Sequence, residues 1–199
     1  MAEPAETIDI ALPRSGRFGT ASSRWEEPSG TLRQARGRRV ARELVELSRL
    51  QGGAERAEFS ELDLAAFLRT ICVDYPAVEL RGPAQLPMTT DSRRLARVLF
   101  TLLDNAYLHG VPPVTVTFDA SEITVEDCGR GFAARVLEHV AQPFITGERS
   151  RGRGIGLGIA IAARHASLLG ASLELSNSPK GGAIARLRLE RPTLALASA

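Results

Sequence analysis

The sequence has little sulfur, few aromatics and almost no lysine. Its 199 residues include two cysteines, three histidines and one tryptophan, and Lys180 is the single lysine among 25 basic residues. Cys72 and Cys128 lie far apart and neither belongs to a C-x-x-C pair, which argues against a zinc site and against a disulfide framework. A reducing cytoplasm is the simplest setting for such a chain. No run approaches the roughly 18 apolar residues that a membrane helix needs. The acidic, small-residue start lacks the basic and apolar regions of a signal peptide. The formal net charge is +2, so no excess of one sign calls for a nucleic-acid partner. What is present is a globular balance, 44% hydrophobic and 24% charged. At this length a core can be buried without disulfides or a structural metal.

Along the chain, residues 1–35 mix Pro, Gly, Ser and Arg with little periodicity and read as a disordered tail, with Trp25 a surface residue in it. Val40, Leu44, Leu47 and Leu50, with Val45 beside them, make one apolar stripe of a helix that Gly52 and Gly53 stop. Arg33, Arg36, Arg38, Arg39 and Arg42 crowd its start as a solvated face. A short strand over 59–64 runs into a helix over 64–75 that Pro76 ends, and Cys72 falls on its apolar side. Short strands follow near 78–80 and 86–88.

Asp91 caps a long helix whose core face is Leu95, Val98, Leu99, Leu102, Leu103 and Ala106 and which Gly110 and Pro112 end. Residues 114–118 and 123–126 alternate apolar and polar around a turn at 119–121, an antiparallel hairpin. A short helix over 133–140, a polar loop over 146–153, a helix over 155–169 and a second hairpin over 173–175 and 183–189 complete the chain. Mixed helix and antiparallel strand predict an α+β two-layer sandwich with a mixed, largely antiparallel sheet.

Three features carry chemistry. Thr101, Asn105 and His109 are spaced by four, so they share one stripe of the long helix away from its apolar face. An asparagine carbonyl there is a hard oxygen ligand suited to Mg²⁺. Asp127-Cys-Gly129-Arg-Gly131 follows a strand directly, where glycines permit a tight turn and a carboxylate can accept from an exocyclic amine. Gly154-Ile-Gly156-Leu157-Gly158 opens a helix, whose free N–H groups and dipole bind phosphate. It is no dinucleotide fingerprint, since a polar loop and not a strand leads into it, and no Walker loop, since no Lys-Ser/Thr follows.

In this order and spacing the three resemble the nucleotide-binding boxes of sensor histidine kinases, within the superfamily shared with DNA gyrase B, the ninety-kilodalton heat-shock chaperones and the mismatch-repair ATPases. RLARVLFTLLDNAYLHG is similar to the N box, ITVEDCGRGF to the first glycine box, PFITG to the F box, GIGLGIAIA to the second glycine box and GASLELSNSPKGGAIARLRL to the closing hairpin. ELVELSRLQGG resembles the end of the second dimerisation helix. The resemblance divides the chain into a tail (1–35), a remnant of a dimerisation-type helix (36–53), an ATP-binding domain of Bergerat type (54–191) and a C-terminal tail (192–199). It implies ATP and Mg²⁺ as cofactors. Asp127 would accept from the adenine amino group, with Gly129 and Gly131 shaping the pocket. Asn105 would ligate Mg²⁺, and His109 would sit close to the nucleotide. Gly154, Gly156, Leu157 and Gly158 would carry the lid and the phosphate contacts, Phe144 would anchor the lid, and Arg149 or Arg151 would reach the terminal phosphate.

The sequence departs from the family pattern in places. Thr101 stands where these kinases usually carry a second Asn and the ATPases a general-base Glu, and a threonine is no base near neutral pH, which argues against efficient hydrolysis. Leu108 stands where a Lys or Arg often meets the phosphates, which argues against strong ATP binding or fast transfer. His139 and His165 read as surface or half-buried structural residues, so no histidine sits in a phosphoacceptor pattern. The implied function is an ATP-binding catalytic domain that transfers the γ-phosphate to a histidine in a missing segment or separate chain, for relay to a response regulator. It would do so in the cytoplasm, without nucleic acid and without membrane contact by this segment. The rivals are an anti-sigma-type serine kinase of the same fold and a degenerate ATP-binding module that acts by protein contact.

Overall fold

The computed structural model describes residues 41–50, 56–145 and 156–189. In chain order the elements are α1 (41–50), β1 (Ser60–Asp63), α2 (Leu64–Cys72), β2 (Val78–Arg81), β3 (Pro87–Thr90), α3 (Ser92–His109), β4 (Val114–Phe118), β5 (Glu122–Glu126), α4 (Ala134–Glu138), α5 (Gly158–Leu168), β6 (Ala171–Asn177) and β7 (Ala183–Leu189). The expected tails and the arginines at 33–39 lie outside the described residues.

Five strands form the main sheet in the order β2-β4-β5-β7-β6. All neighbours are antiparallel except β2 and β4, which run parallel because the chain crosses through β3 and α3 between them. β1 and β3 make a separate antiparallel pair. The β4–β5 hairpin alternates as its sequence requires. Val114, Val116, Phe118, Ile123 and Val125 are buried, and the intervening positions point away from the core. The Asp119 carboxylate holds the turn by accepting from the N–H groups of Ser121 and Glu122.

Helices α2, α3 and α5 cover one face of this sheet. Leu64, Leu68 and Ile71 of α2 and Leu95, Val98, Leu99, Leu102 and Leu103 of α3 meet the inward strand residues in one core, with Ala162 and Ala166 of α5. Both long helices of the first half begin on an aspartate. Asp63 accepts from the N–H groups of Ala65 and Ala66, and Asp91 from those of Arg93 and Arg94. Cys72 packs at the core margin, and burial pushes its thiol up to about 11, so it is an unreactive packing residue.

Helix α1 attaches differently. Leu47 and Leu50 join Leu157 and Ile161 of the α5 region in a small second cluster. Leu44 and Val45 are exposed, so the stripe read from the sequence is only half used against this domain. The remaining contacts are polar. The Glu46 carboxylate takes both Arg97 Nε and Nη2, at 2.8 and 2.9 Å, and lies 3.0 Å from His165 Nε2. Arg94 Nη1, which can only donate, lies 3.4 Å from His165 Nδ1. That leaves Nε2 carrying the proton given to Glu46. Burial pushes the Glu46 carboxyl up, but the hydrogen bonds from His165 and Arg97 outweigh it and bring it down to about 2. His165 is only 7% exposed, against the expectation of a surface or half-buried residue. The difference arises because its partner Glu46 comes from 119 residues away.

Candidate nucleotide site

The site residues gather around α3. Its C-terminal end, at Gly110 and Val111, abuts the loop that leaves β5. Cys128 N–H donates to the Val111 carbonyl at 2.9 Å, and a Cβ on Gly129 would lie 2.7 Å from Gly110 Cα. Near its middle, Thr101 touches the start of α5, with its Cγ2 3.4 Å from where a Gly158 Cβ would stand. Thr101, Asn105 and His109 therefore run from the beginning of α5 to the Asp127 loop. That stripe, nine residues from Thr101 to His109, is about 12 Å long.

Asp127 is 5% exposed and its carboxylate is fixed from one side. Oδ1 accepts from Gly129 N–H at 2.7 Å and from Ala183 N–H at 3.3 Å. Oδ2 takes no hydrogen bond from the described residues, so one oxygen holds the loop and the other keeps its acceptor capacity. Gly131 sits at φ +77 with Asn177 Oδ1 2.5 Å from the position of a Cβ, so conformation and space both demand glycine there. Asn105 is on the same helix as Gly110 and is half-buried. Its Nδ2 is buried with no hydrogen-bond partner among the described residues. That donor is therefore unused by the described residues.

At the other end of the stripe, α5 begins at Gly158 and not at residue 155 as its sequence suggests. Gly156 has φ +74 and packs against the Ile145 backbone, and its carbonyl accepts from Phe144 N–H at 3.0 Å. This backbone clasp keeps 156 and 157 out of the helix. Its first turn gets no side-chain cap, since Leu157 stands at the cap position. The N–H groups of that turn are therefore available to an anion. Phe144 itself is in the left-handed region at φ 66 with its ring exposed. The Leu157 side chain is not directed at this surface. It is buried against Leu47, Leu50 and Ile161, so what it can offer a ligand is its backbone alone. Arg149, Arg151 and Gly154 lie outside the described residues.

The sequence profile described as Histidine kinase-, DNA gyrase B-, and HSP90-like ATPase matches residues 90–193, more than half of the chain and all of this site. The chain belongs to this family. The sensor protein CseC of Streptomyces coelicolor is 43% identical over 155 residues, covering 77% of this chain and 31% of that protein. The sensor histidine kinase component HK1 of Mycobacterium tuberculosis is 36% identical over 120 residues, covering 58% of this chain and 71% of that protein. Among solved structures, the ATP binding domain of PrrB from Mycobacterium tuberculosis matches with a TM-score of 0.53 at 25% identity, covering 68% of this chain and 98% of that one. Full-length ShkA in complex with AMPPNP shares the fold, with a TM-score of 0.62 at 21% identity, covering 74% of this chain and 34% of that one. The chain spans less than a third of the length of the CseC and AfsQ2 sensor proteins it matches.

As a member of the histidine kinase-like ATPase family, the chain brings Asn105, His109, Asp127, Gly129, Gly131 and the start of α5 to one surface of α3. Thr101 departs from that surface. Its hydroxyl donates to the Arg97 carbonyl at 3.0 Å and the residue is 6% exposed, so it presents no general base to that surface. Leu108 is exposed. Sequence reasoning passed over two residues here, Asn177 and Ala183. The Ser178–Gly182 turn was legible, but nothing local says that the residues flanking it grip a loop some 50 positions earlier. No helix among the described residues is long and apolar enough to cross a membrane.

Proposed function

We propose that this chain is the ATP-binding catalytic domain of a two-component sensor histidine kinase. The observation that carries the reading is the buried Asn105 Nδ2, unpartnered among the described residues, on the helix stretch between the end that meets the Asp127 loop and the part that meets the start of α5. The Asp127 Oδ2 accepts from the adenine amino group, and Gly129 and Gly131 let the ring lie against the loop. The α5 N–H groups receive phosphate oxygens next to Gly156 and Phe144, and Gly154, Arg149 and Arg151 are assigned further phosphate contacts by the family resemblance. The Asn105 amide fits Mg²⁺, since it presents a hard carbonyl oxygen and an N–H₂ able to donate to a phosphate oxygen. Bound Mg²⁺ supplies charge neutralisation on the transferring phosphoryl group. His109 lies at the end of the stripe, within reach of the same ligand. ShkA was captured with AMPPNP, which supports a triphosphate as the ligand of this fold.

We assign the acceptor histidine to another segment or a separate chain. His165 is buried between Glu46 and Arg94, His109 belongs to the nucleotide stripe, and His139 lies at the end of the short α4 with Nδ1 against the Arg135 carbonyl. The name of HK1, a kinase component, supports testing an acceptor on a separate polypeptide. A response regulator is the downstream partner. A threonine at position 101 is no general base near neutral pH, so the reading favours transfer to the acceptor over hydrolysis.

The test begins with calorimetry of Mg²⁺-ATP binding to the parent protein and to Asp127→Asn. Binding in the parent and its loss in the variant support the nucleotide site, and a folded parent that does not bind overturns it. A cognate histidine fragment should then acquire phosphate that acid removes. An acid-stable product would instead assign the domain to serine kinases.

A further inference from the structure

The loop from Asp127 to Phe132 is held at both ends by one cross-strand pair. Asn177, the last residue of β6, faces Ala183, the first of β7. Ala183 grips the entrance, accepting from Asp127 N–H at 3.1 Å and donating to Asp127 Oδ1 at 3.3 Å. Asn177 grips the exit with both ends of its side-chain amide. Oδ1 accepts from Phe132 N–H at 2.6 Å, and Nδ2 donates to the Phe132 carbonyl at 3.0 Å. A side-chain amide that meets the N–H and the carbonyl of a single residue fixes the two peptide groups on either side of it, as a β-bridge would. Asn177 Oδ1 also backs directly onto Gly131, while Gly182 closes onto the Asp127 carbonyl.

We propose that Asn177 is a positioning residue for recognition of the adenine 6-amino group. It touches no nucleotide; it acts by clamping Phe132, which sets where Gly131 lies relative to the Asp127 carboxylate. The proposal rests on the nucleotide site described above and adds to it the source of the loop's shape. Ala183 alone fixes the carboxylate, but leaves the far wall of the pocket free to drift. With both ends held, Oδ2 of Asp127 meets the 6-amino group at a fixed distance from the wall against which the ring rests. The clamp therefore appears in discrimination between purines, and not only in stability.

The experiment compares ATP with purine riboside triphosphate, which lacks the 6-amino group, by calorimetry in the presence of Mg²⁺. The parent, Asn177→Ala and Asn177→Asp are measured in the full chain, each with its melting temperature. The parent should prefer ATP. Asn177→Ala should weaken ATP by about tenfold while changing the deaminated analogue much less, so that the preference collapses. Asn177→Asp keeps the acceptor for Phe132 N–H and loses the donor, and should retain an intermediate preference. A purely structural role would weaken both nucleotides together and leave their ratio intact, which would overturn the proposal, as would an unchanged ATP affinity in a folded Asn177→Ala. If Asn177→Ala does not fold, the ratio in Asn177→Asp decides. A parent that binds neither triphosphate would instead overturn the nucleotide site itself. A parent that binds both equally would remove the amino-group contact on which the clamp acts.

Discussion

The two halves of α3 differ chiefly at one side chain: Asp104, Tyr107 and Thr101 are met by the protein much as the charged residues of the first half are, and Asn105 is the exception. In the first half, Asp91, Arg94 and Arg97 are met by the protein itself. Asp91 takes the N–H groups of Glu58, Arg93 and Arg94, and Arg97 is held in a two-bonded fork by Glu46. In the second half, the Asn105 amide is left with a buried unpartnered donor and the neighbouring Asp127 keeps one oxygen unused by the described residues. Closed polar networks hold structure together, whereas unspent hydrogen-bonding capacity at a buried position is tolerated where a ligand will supply the partner. One helix thus serves as an anchor for α1 at its beginning and as the wall of a site at its end.

The contrast can be broken most strongly at Asp127. Asp127→Asn keeps the size and the Oδ1 contacts but replaces the outward acceptor. ATP affinity should fall by about 30- to 100-fold, the loss of a hydrogen bond to a charged group, with a small change in melting temperature; calorimetry and a thermal melt read both. Next comes the closed half. Glu46→Ala removes the partner of Arg97 and His165 and should cost about 1–3 kcal/mol in urea unfolding, without altering the preference for the 6-amino group. The folded Glu46 value, about 2, lies below the ordinary 4.5. Its contribution is therefore present above pH 4.5 and disappears as pH falls toward 2, and the gap between parent and variant should narrow over that window.

Asn105→Ala sharpens the comparison with effects of opposite sign. Deleting an unpartnered buried amide should leave stability unchanged or raise it by up to about 1 kcal/mol, while Mg²⁺-ATP binding weakens by about tenfold. A matching loss of stability would place Asn105 with the anchors. The smallest effect is expected on the open face of the sheet. Arg188, half exposed beside Glu174 at 3.0 Å, should change stability by less than about 0.5 kcal/mol when replaced by Ala.

Much of this was legible in the sequence, and for local reasons. The Asp91 cap, the apolar face from Leu95 to Ala106 and the alternation of β4 and β5 each depend on neighbours within a few residues. The spacing put Thr101, Asn105 and His109 on one stripe away from the apolar face, but Thr101 is buried with that face, and the Asp127 loop follows its strand as read. The failures share the opposite property. His165 looked peripheral because Glu46 and Arg94 reach it from two other helices. Residues 156 and 157 looked helical because periodicity cannot register the Ile145 backbone against Gly156. Leu157 looked like a ligand residue because the motif gives no direction to its side chain. Asn177 carried no signal, since one asparagine before a turn is ordinary and its meaning depends on a peptide 45 positions away.

The hydrogen bond from Phe144 to Gly156 has a consequence for how this protein can vary. The residues numbered 146–155 leave and return through two points that are tied to each other. The Phe144–Gly156 hydrogen bond closes a ring, and under a closure-entropy rule the number of residues in a ring enters the folding free energy only through a logarithm. Doubling it should cost about 0.6 kcal/mol in closure entropy. The β-sheet and its helices are thus insulated from a change in the number of residues between these two points.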